Sequence, residues 1–152
     1  MPGHSYRAQV QWAGTTADGY AEYSRAHTAY TPPAPEGFDL SADPHFRGDG
    51  DLPNPEQLFV LAASSCQLLS FLALAARRRI DVRAYEDDAT GDMPEHAAPQ
   101  RITRITLRPK VTVADGTDVA QVQKLLYEAH RECYISNSIT SEVVLEPTVL
   151  HG

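Results

Sequence analysis

Only two cysteines occur in these 152 residues, Cys66 and Cys133, which excludes the disulfide framework that staples many small secreted domains. Basic clusters are equally scarce. The net charge is −7, and no run of cations exists beyond Arg77, Arg78 and Arg79. Phosphate binding needs concentrated Lys and Arg, so no nucleic-acid partner is expected. The opening stretch MPGHSYRAQVQW lacks an apolar signal-peptide core, and a cytoplasmic location is expected. There is no internal repeat and no low-complexity segment. Metal ligands are scattered. His130 and Cys133 are three apart, but a structural zinc site usually needs four ligands in paired motifs, and no second pair exists. No metal is expected. The length suits one domain spanning residues 1–152.

Long apolar runs are also few, and one stands out: Asn54 to Arg79, NPEQLFVLAASSCQLLSFLALAARRR. Asn54 is a good N-cap, Pro55 fits the first helical position, and Gln57 stands where a capping-box partner would. Arg77, Arg78 and Arg79 complement the negative end of the helix dipole. From Leu58 to Ala76 the only polar side chains are Ser64, Ser65, Gln67 and Ser70. A helix apolar nearly all round is expected to be buried on most sides. At about 39 Å it is more than this chain can cover alone, which suggests a second subunit. A membrane span is not expected, because the cleanest run, Leu68 to Ala76, is far shorter than the ~20 residues needed.

The rest of the chain alternates strands and helices. Tyr6, Ala8, Val10 and Trp12 share one face of a half-buried strand. Tyr20 to Tyr30 reads as its returning partner, and Phe38 to Leu40 as a short third strand. Asp43 to Pro53 is a loop before the helix. After it, Ile80 to Gly91 holds a strand. Arg101 to Val113 is a second, with Pro109 marking an edge or a bulge. Thr117 or Asp118 caps a helix to about Arg131, with Val119, Val122, Leu125, Leu126 and Ala129 at helical spacing. Glu142 to Leu150 is a final strand. The order predicts an α+β fold, a helix layer on a largely antiparallel sheet.

Candidate chemistry rests on few residues. Cys66 and Cys133 are either two buried small hydrophobes or a redox pair. For Cys66 to react, something must hold it as thiolate, and nothing adjacent in sequence does. Cys133 precedes YISNS, a polar segment that suits a resolving thiol. Glu56 serves either the helix dipole or a site. Arg47 and Arg25 are its candidate cations. Phe46, Leu52, Leu58, Phe59 and Tyr134 are candidates for lining a pocket.

NPEQLFVLAASSCQLL resembles the central-helix motif of the OsmC/Ohr family, the osmotically inducible protein C and organic hydroperoxide resistance proteins. There an Asn-Pro-Glu-(Glu/Gln)-Leu start precedes the reactive cysteine by ten residues counted from the Glu, the spacing of Glu56 and Cys66. Cys133-Tyr134-Ile135-Ser136-Asn137 is similar to the family's second cysteine motif, with Tyr in place of Pro. Gln67 stands where typical members have Phe. The resemblance covers nearly the whole chain. It implies largely antiparallel sheets packed around a long central helix in an intertwined homodimer. It also implies a thiol peroxidase reducing organic hydroperoxides, and hydrogen peroxide as a further substrate. Cys66 would be the peroxidatic cysteine and Cys133 the resolving one. No cofactor would be bound, and an external dithiol reductant of lipoyl type would regenerate the enzyme. Glu56 would orient an arginine beside Cys66; Arg47 is favoured for that place and Arg25 is the alternative. The rival readings are a non-catalytic small-ligand-binding protein and a thiol redox sensor.

One geometric argument is independent of the resemblance. Ten residues of unbroken helix separate Glu56 from Cys66 by about 15 Å. If they act together, Glu56 must come from a two-fold-related subunit.

Overall fold

The computed structural model describes residues 3–152. The chain falls into two compact units, one running through Leu58 and the other Phe59–Gly152, so that the boundary falls within the long helix.

The first unit is an antiparallel sheet in the order β1-β2-β3: β1 (Gln9–Gln11), β2 (His27–Tyr30) and β3 (Phe38–Leu40). β1 is shorter than its alternation predicts, and all three of its residues are exposed. Tyr6 is 89% and Val10 70% exposed, so the expected half-buried strand is not covered by the described residues. β2 is also shorter than expected. Tyr20–Tyr23 turn instead, because Arg25 donates from Nη2 to the Tyr20 carbonyl (2.5 Å) and from Nη1 to the Tyr23 carbonyl (2.7 Å). Its guanidinium also lies over the Tyr20 and Tyr23 rings, 4.7 and 3.8 Å from their centroids, a cation–π arrangement. The loop before the helix contains a 3-10 turn, Pro44–Phe46. It closes tightly enough that a Cβ on Gly48 would overlap the Ala42 carbonyl.

Helix α1 spans Pro55–Arg77. Its capping box forms as expected. The Gln57 N–H donates to Asn54 Oδ1 and the Asn54 N–H donates to Gln57 Oε1, both at 2.9 Å. At the other end Arg79 adopts φ 57°. The Ile80 N–H reaches the Ala75 carbonyl and the Arg79 N–H reaches that of Ala76, the paired bonds of a Schellman stop. The expectation of burial on most sides is not met. The buried residues, Ala63, Gln67, Phe71, Leu74 and Ala75, form one stripe at helical spacing. Leu61, Leu69 and Leu72 lie exposed. By length and composition the helix could cross a membrane.

The second unit carries two mixed sheets, β4-β7-β9 and β5-β6-β8. The strands are β4 (Val82–Glu86), β5 (Thr90–Asp92), β6 (Arg104–Leu107), β7 (Lys110–Val113), β8 (Glu142–Leu145) and β9 (Thr148–His151). β6∥β8 and β7∥β9 are parallel, against four antiparallel pairings in the chain. The sheets are therefore largely antiparallel, as the sequence predicts.

Three expected long strands are each broken near the middle, and proline explains two of the breaks. Pro109 separates β6 from β7 and Pro147 separates β8 from β9, since neither can donate a ladder bond. At the third break the Asp87 carboxylate takes the Arg108 N–H on Oδ1 (2.6 Å) and the Ser64 hydroxyl on Oδ2 (2.5 Å). Helix α1 is thereby pinned two residues from Cys66.

Helix α2 is Val119–Glu132, capped by Asp118, whose Oδ1 accepts the Ala120 N–H at 3.0 Å. Val122, Leu125, Leu126 and Ala129 pack with Phe71, Leu74, Ala75, Val111 and Val113 in one core cluster. Burying each large side chain contributes about 1.5–3 kcal/mol.

Removing the cap at the head of α1 should be measurable. Asn54→Ala is expected to lower unfolding free energy by about 1 kcal/mol, read as a lower urea midpoint at unchanged m value.

Candidate functional site

Cys66 stands on α1, and Cys133 is the C-cap of α2. Both are free thiols; Cys66 is partly exposed and Cys133 fully buried. The two influence each other's acidity, Cys133 standing among the groups that lower Cys66 and Cys66 among those that raise Cys133. Their electrostatics diverge. Burial pushes the Cys66 thiol up, but hydrogen bonds outweigh it. The Cys133 thiol, the backbone at Ile135 and Tyr134, and the Ser70 hydroxyl together hold Cys66 below the ordinary cysteine value. Cys133 moves the other way. Burial raises it first, and its hydrogen bond to Cys66 raises it further, against a weaker opposing pull from Ser136. The Ser136 N–H reaches Cys133 Sγ at 3.5 Å. The turn after α2 thus places backbone groups beside both sulfurs.

The donors that the sequence leaves unnamed are found here. Ser70 is four residues after Cys66, so its place on the same helix face is legible from spacing. The N–H groups of Tyr134 and Ile135 are not legible, because their direction depends on the turn that leads into the 3-10 segment Ser136–Ser138.

An open groove of about 580 Å³ lies beside Cys66. Helix α1 contributes Leu69, Ser70, Ala73 and Arg77; Glu132, Tyr134 and Asn137 come from the end of α2 and the turn beyond.

The other expected site residues lie in the first unit, in a cleft of about 410 Å³. Trp12, Tyr23 and Phe46 give it aromatic walls, and Arg25 and Glu56 share it. Trp12 is fixed by the bond from its Nε1–H to the Ser24 carbonyl, 2.8 Å. Glu56 Oε2 is buried with no hydrogen-bond partner among the described residues, an acceptor still in need of a donor. Arg47 is exposed and in the left-handed conformation, φ 65°, at the end of the 3-10 turn. It does not line the cleft. The structure therefore brings Arg25, not the favoured Arg47, to the cavity that holds Glu56. Of the expected pocket residues, Phe46 lines this cleft and Tyr134 the groove beside Cys66, while Leu52, Leu58 and Phe59 line neither. Among the described residues no three His, Cys, Asp or Glu side chains gather to hold a metal ion.

The opposed shifts set an order of reactivity. Iodoacetamide at neutral pH should label Cys66 faster than Cys133, and the Cys66 rate should fall as pH drops through its lowered value, since only the thiolate reacts. Cys133→Ala removes a donor, so the half-maximal pH for Cys66 should move up. Peptide mass mapping of a pH series reads both effects; faster labelling of Cys133 would contradict the assignment.

The family described as "OsmC-like protein" matches residues 48–148. An OsmC-like protein of unknown function from Vibrio cholerae is 32% identical, with a TM-score of 0.85 over 95% of this chain and 99% of that one. The organic hydroperoxide resistance protein OhrB of Bacillus subtilis shares the fold at 18% identity, TM-score 0.61, over 96% of this chain and 98% of that one. The uncharacterized protein YmaD of Bacillus subtilis (strain 168) is 24% identical over 96% of this chain and 93% of its own length. With a family match across most of the chain and a close structural relative over nearly all of it, this α+β protein belongs to the OsmC-like family.

Proposed function

We propose that this chain is a cysteine-based hydroperoxide reductase that works as a cytoplasmic homodimer. The observation that carries the reading is the placement of the two free thiols, Cys66 partly exposed on an open groove and Cys133 buried at the end of α2; the lowered Cys66 and raised Cys133 are in keeping with it. The Cys66 thiolate attacks the O–O bond of a hydroperoxide. The S–O bond forms, the O–O bond breaks, and the leaving alkoxide takes a proton to become an alcohol. Cys66 is left as sulfenic acid. Cys133 then displaces the sulfenic oxygen as water, forming a disulfide. A dithiol reductant of lipoyl type restores both thiols by exchange and is itself oxidised. Organic hydroperoxides are the proposed substrates, with hydrogen peroxide a further one. The name of the OhrB relative is in keeping with this chemistry.

Two observations support the dimer. The exposed Leu61, Leu69 and Leu72 leave α1 with an apolar stripe that needs cover. Glu56 and Cys66 are about 15 Å apart along one unbroken helix, so a joint role requires the Glu56 of a second subunit. Arg25 would accompany that Glu56, since the two line one cleft.

Stopped-flow oxidation of the reduced protein tests the chemistry. Cumene hydroperoxide is expected to oxidise the wild type rapidly, Cys66→Ser not at all, and Cys133→Ser only as far as a trappable sulfenic acid. Oxidation no faster than that of a free thiol would overturn the proposal.

Subunit mixing tests the shared site. Cys66→Ser and Glu56→Gln homodimers should each be impaired. Their mixed dimer should regain one intact site, about half the wild-type activity per dimer. A mixture with no recovery would show that Glu56 does not act across subunits.

A further inference from the structure

Of the polar residues Ser136, Asn137 and Ser138 that follow Cys133, two are committed to backbone carbonyls. Asn137 donates from Nδ2 to the Arg131 carbonyl at 3.1 Å, and the Ser138 hydroxyl donates to that of Tyr134 at 2.6 Å. Both tie the turn back to the residues before it, a common use of such side chains. Ser136 differs. Its N–H lies 3.5 Å from Cys133 Sγ, and its hydroxyl is buried with no hydrogen-bond partner among the described residues. The turn does not need that hydroxyl to close. The Asn137 N–H already bonds the Cys133 carbonyl at 3.0 Å, and the Ser138 N–H bonds that of Ile135 at 2.9 Å. A buried hydroxyl without a partner is destabilising, so its presence calls for a reason.

The sulfur beside it has the complementary need. Cys133 is fully buried, and water cannot solvate the thiolate that must attack. Stabilising donors have to come from the protein. A serine hydroxyl rotates to suit its surroundings. It can stay idle while Cys133 is a thiol and donate once the sulfur gains charge.

We propose that the Ser136 hydroxyl is the positioning donor of the resolving step, turning its proton toward Cys133 Sγ as that sulfur attacks oxidised Cys66. This deepens the peroxidase reading and rests on it for the sulfenic acid. In the step an S–S bond forms and the S–O bond at Cys66 breaks. The Cys133 proton leaves with the oxygen as water, and Ser136 keeps its own. The influences on Cys133 fit this order of events. Burial raises its thiol most, Cys66 raises it further, and Ser136 pulls it down. Conversion of Cys66 from thiolate to neutral sulfenic acid removes its charge, while the pull of Ser136 remains. Cys133 is thus held as a thiol until the first step is complete.

The first test needs no peroxide. Cys66→Ser leaves one thiol, and the Cβ NMR shift of the labelled cysteine across a pH series reads Cys133 alone. Adding Ser136→Ala is expected to raise the midpoint by about one pH unit, the roughly tenfold effect of one hydrogen bond to a charged group. Ser136→Thr, which keeps a hydroxyl, should restore most of the difference. Stopped-flow oxidation by cumene hydroperoxide then reads the step itself. In Ser136→Ala the dimedone-trappable sulfenic acid should persist about tenfold longer than in the wild type. The half-maximal pH of disulfide formation should move up with it, because a thiol that has lost a donor ionises only at higher pH. A serine with a merely structural role would lower the urea midpoint on removal and move neither pH profile. An unchanged Cys133 midpoint in the double variant would overturn the proposal, as would an unchanged sulfenic acid lifetime in an active peroxidase. If cumene hydroperoxide oxidises no form, the peroxidase reading falls, and the NMR titration still decides whether Ser136 serves Cys133.

Discussion

For Cys66 to meet Cys133, helices α1 and α2 must cross at one place, and a single buried hydrogen bond stands there. Gln67, next to Cys66, is fully buried and donates from Nε2 to the Leu126 carbonyl at 2.9 Å. Around it Phe71, Leu74 and Ala75 pack against Val122, Leu125, Leu126 and Ala129. Apolar packing tolerates small slides of one helix along another, because the hydrophobic effect is not directional. A buried amide does not, since a slide would strand its donor at a cost of about 1–3 kcal/mol. Gln67 Oε1 has no partner among the described residues, so the amide recovers only part of its desolvation cost. What that cost gains is register. The Cys133 thiol and the turn beyond it reach Cys66 only if α2 ends where it does.

The sheet holds the same register from the other side. Ser64 and the Arg108 N–H share the Asp87 carboxylate. Asp87 thus fills the gap between β4 and β5 and ties α1 to the sheet one half-turn from Cys66. On either side of the Pro109 and Pro147 breaks, the Glu146 N–H bonds the Leu107 carbonyl and the Thr148 N–H bonds that of Pro109. The ladder continues across the breaks although the prolines cannot donate. A broken strand can change direction at the break without losing its partner, which lets one stretch of chain serve both sheets.

How much of this is legible in sequence depends on how local the physics is. Asn54, Pro55 and Gln57 specify the start of α1 within four residues, and the cap forms as expected. The α2 stripe is set by 3.6-residue spacing and appears as written. The extent of β2 is not legible, because Arg25 folds back on carbonyls and rings of residues before it. The burial of α1 is not legible either, because apolarity states what a helix needs, not what this chain supplies. The thiolate's donors escaped for a similar reason. A search for a cation near Cys66 overlooks backbone N–H groups, which every sequence has and only a particular turn directs. For the arginine, nearness in sequence to the Asn-Pro-Glu motif favoured Arg47. The fold instead gathers Arg25 with Glu56, through a hairpin whose return brings Tyr23–Arg25 beside the loop and the start of α1.

That last placement bears on the division of labour in the proposed reaction. Hydrogen bonds within the second unit hold Cys66 below the ordinary cysteine value, which leaves an arginine free for another part in the proposed reaction. Arg25 in its present position spends two N–H groups on carbonyls, and Glu56 Oε2, in the same cleft, has no donor among the described residues. Turning the guanidinium toward Glu56 would replace two bonds to carbonyls with an ion pair to a carboxylate oxygen that has no donor among the described residues. Held by that carboxylate, Arg25 would keep donors for the oxygen that gains negative charge as the O–O bond breaks. The thiolate is charged before the peroxide arrives, whereas the leaving oxygen is charged only in the transition state. Stabilising the second of these accelerates the step, and stabilising the first more strongly would slow it.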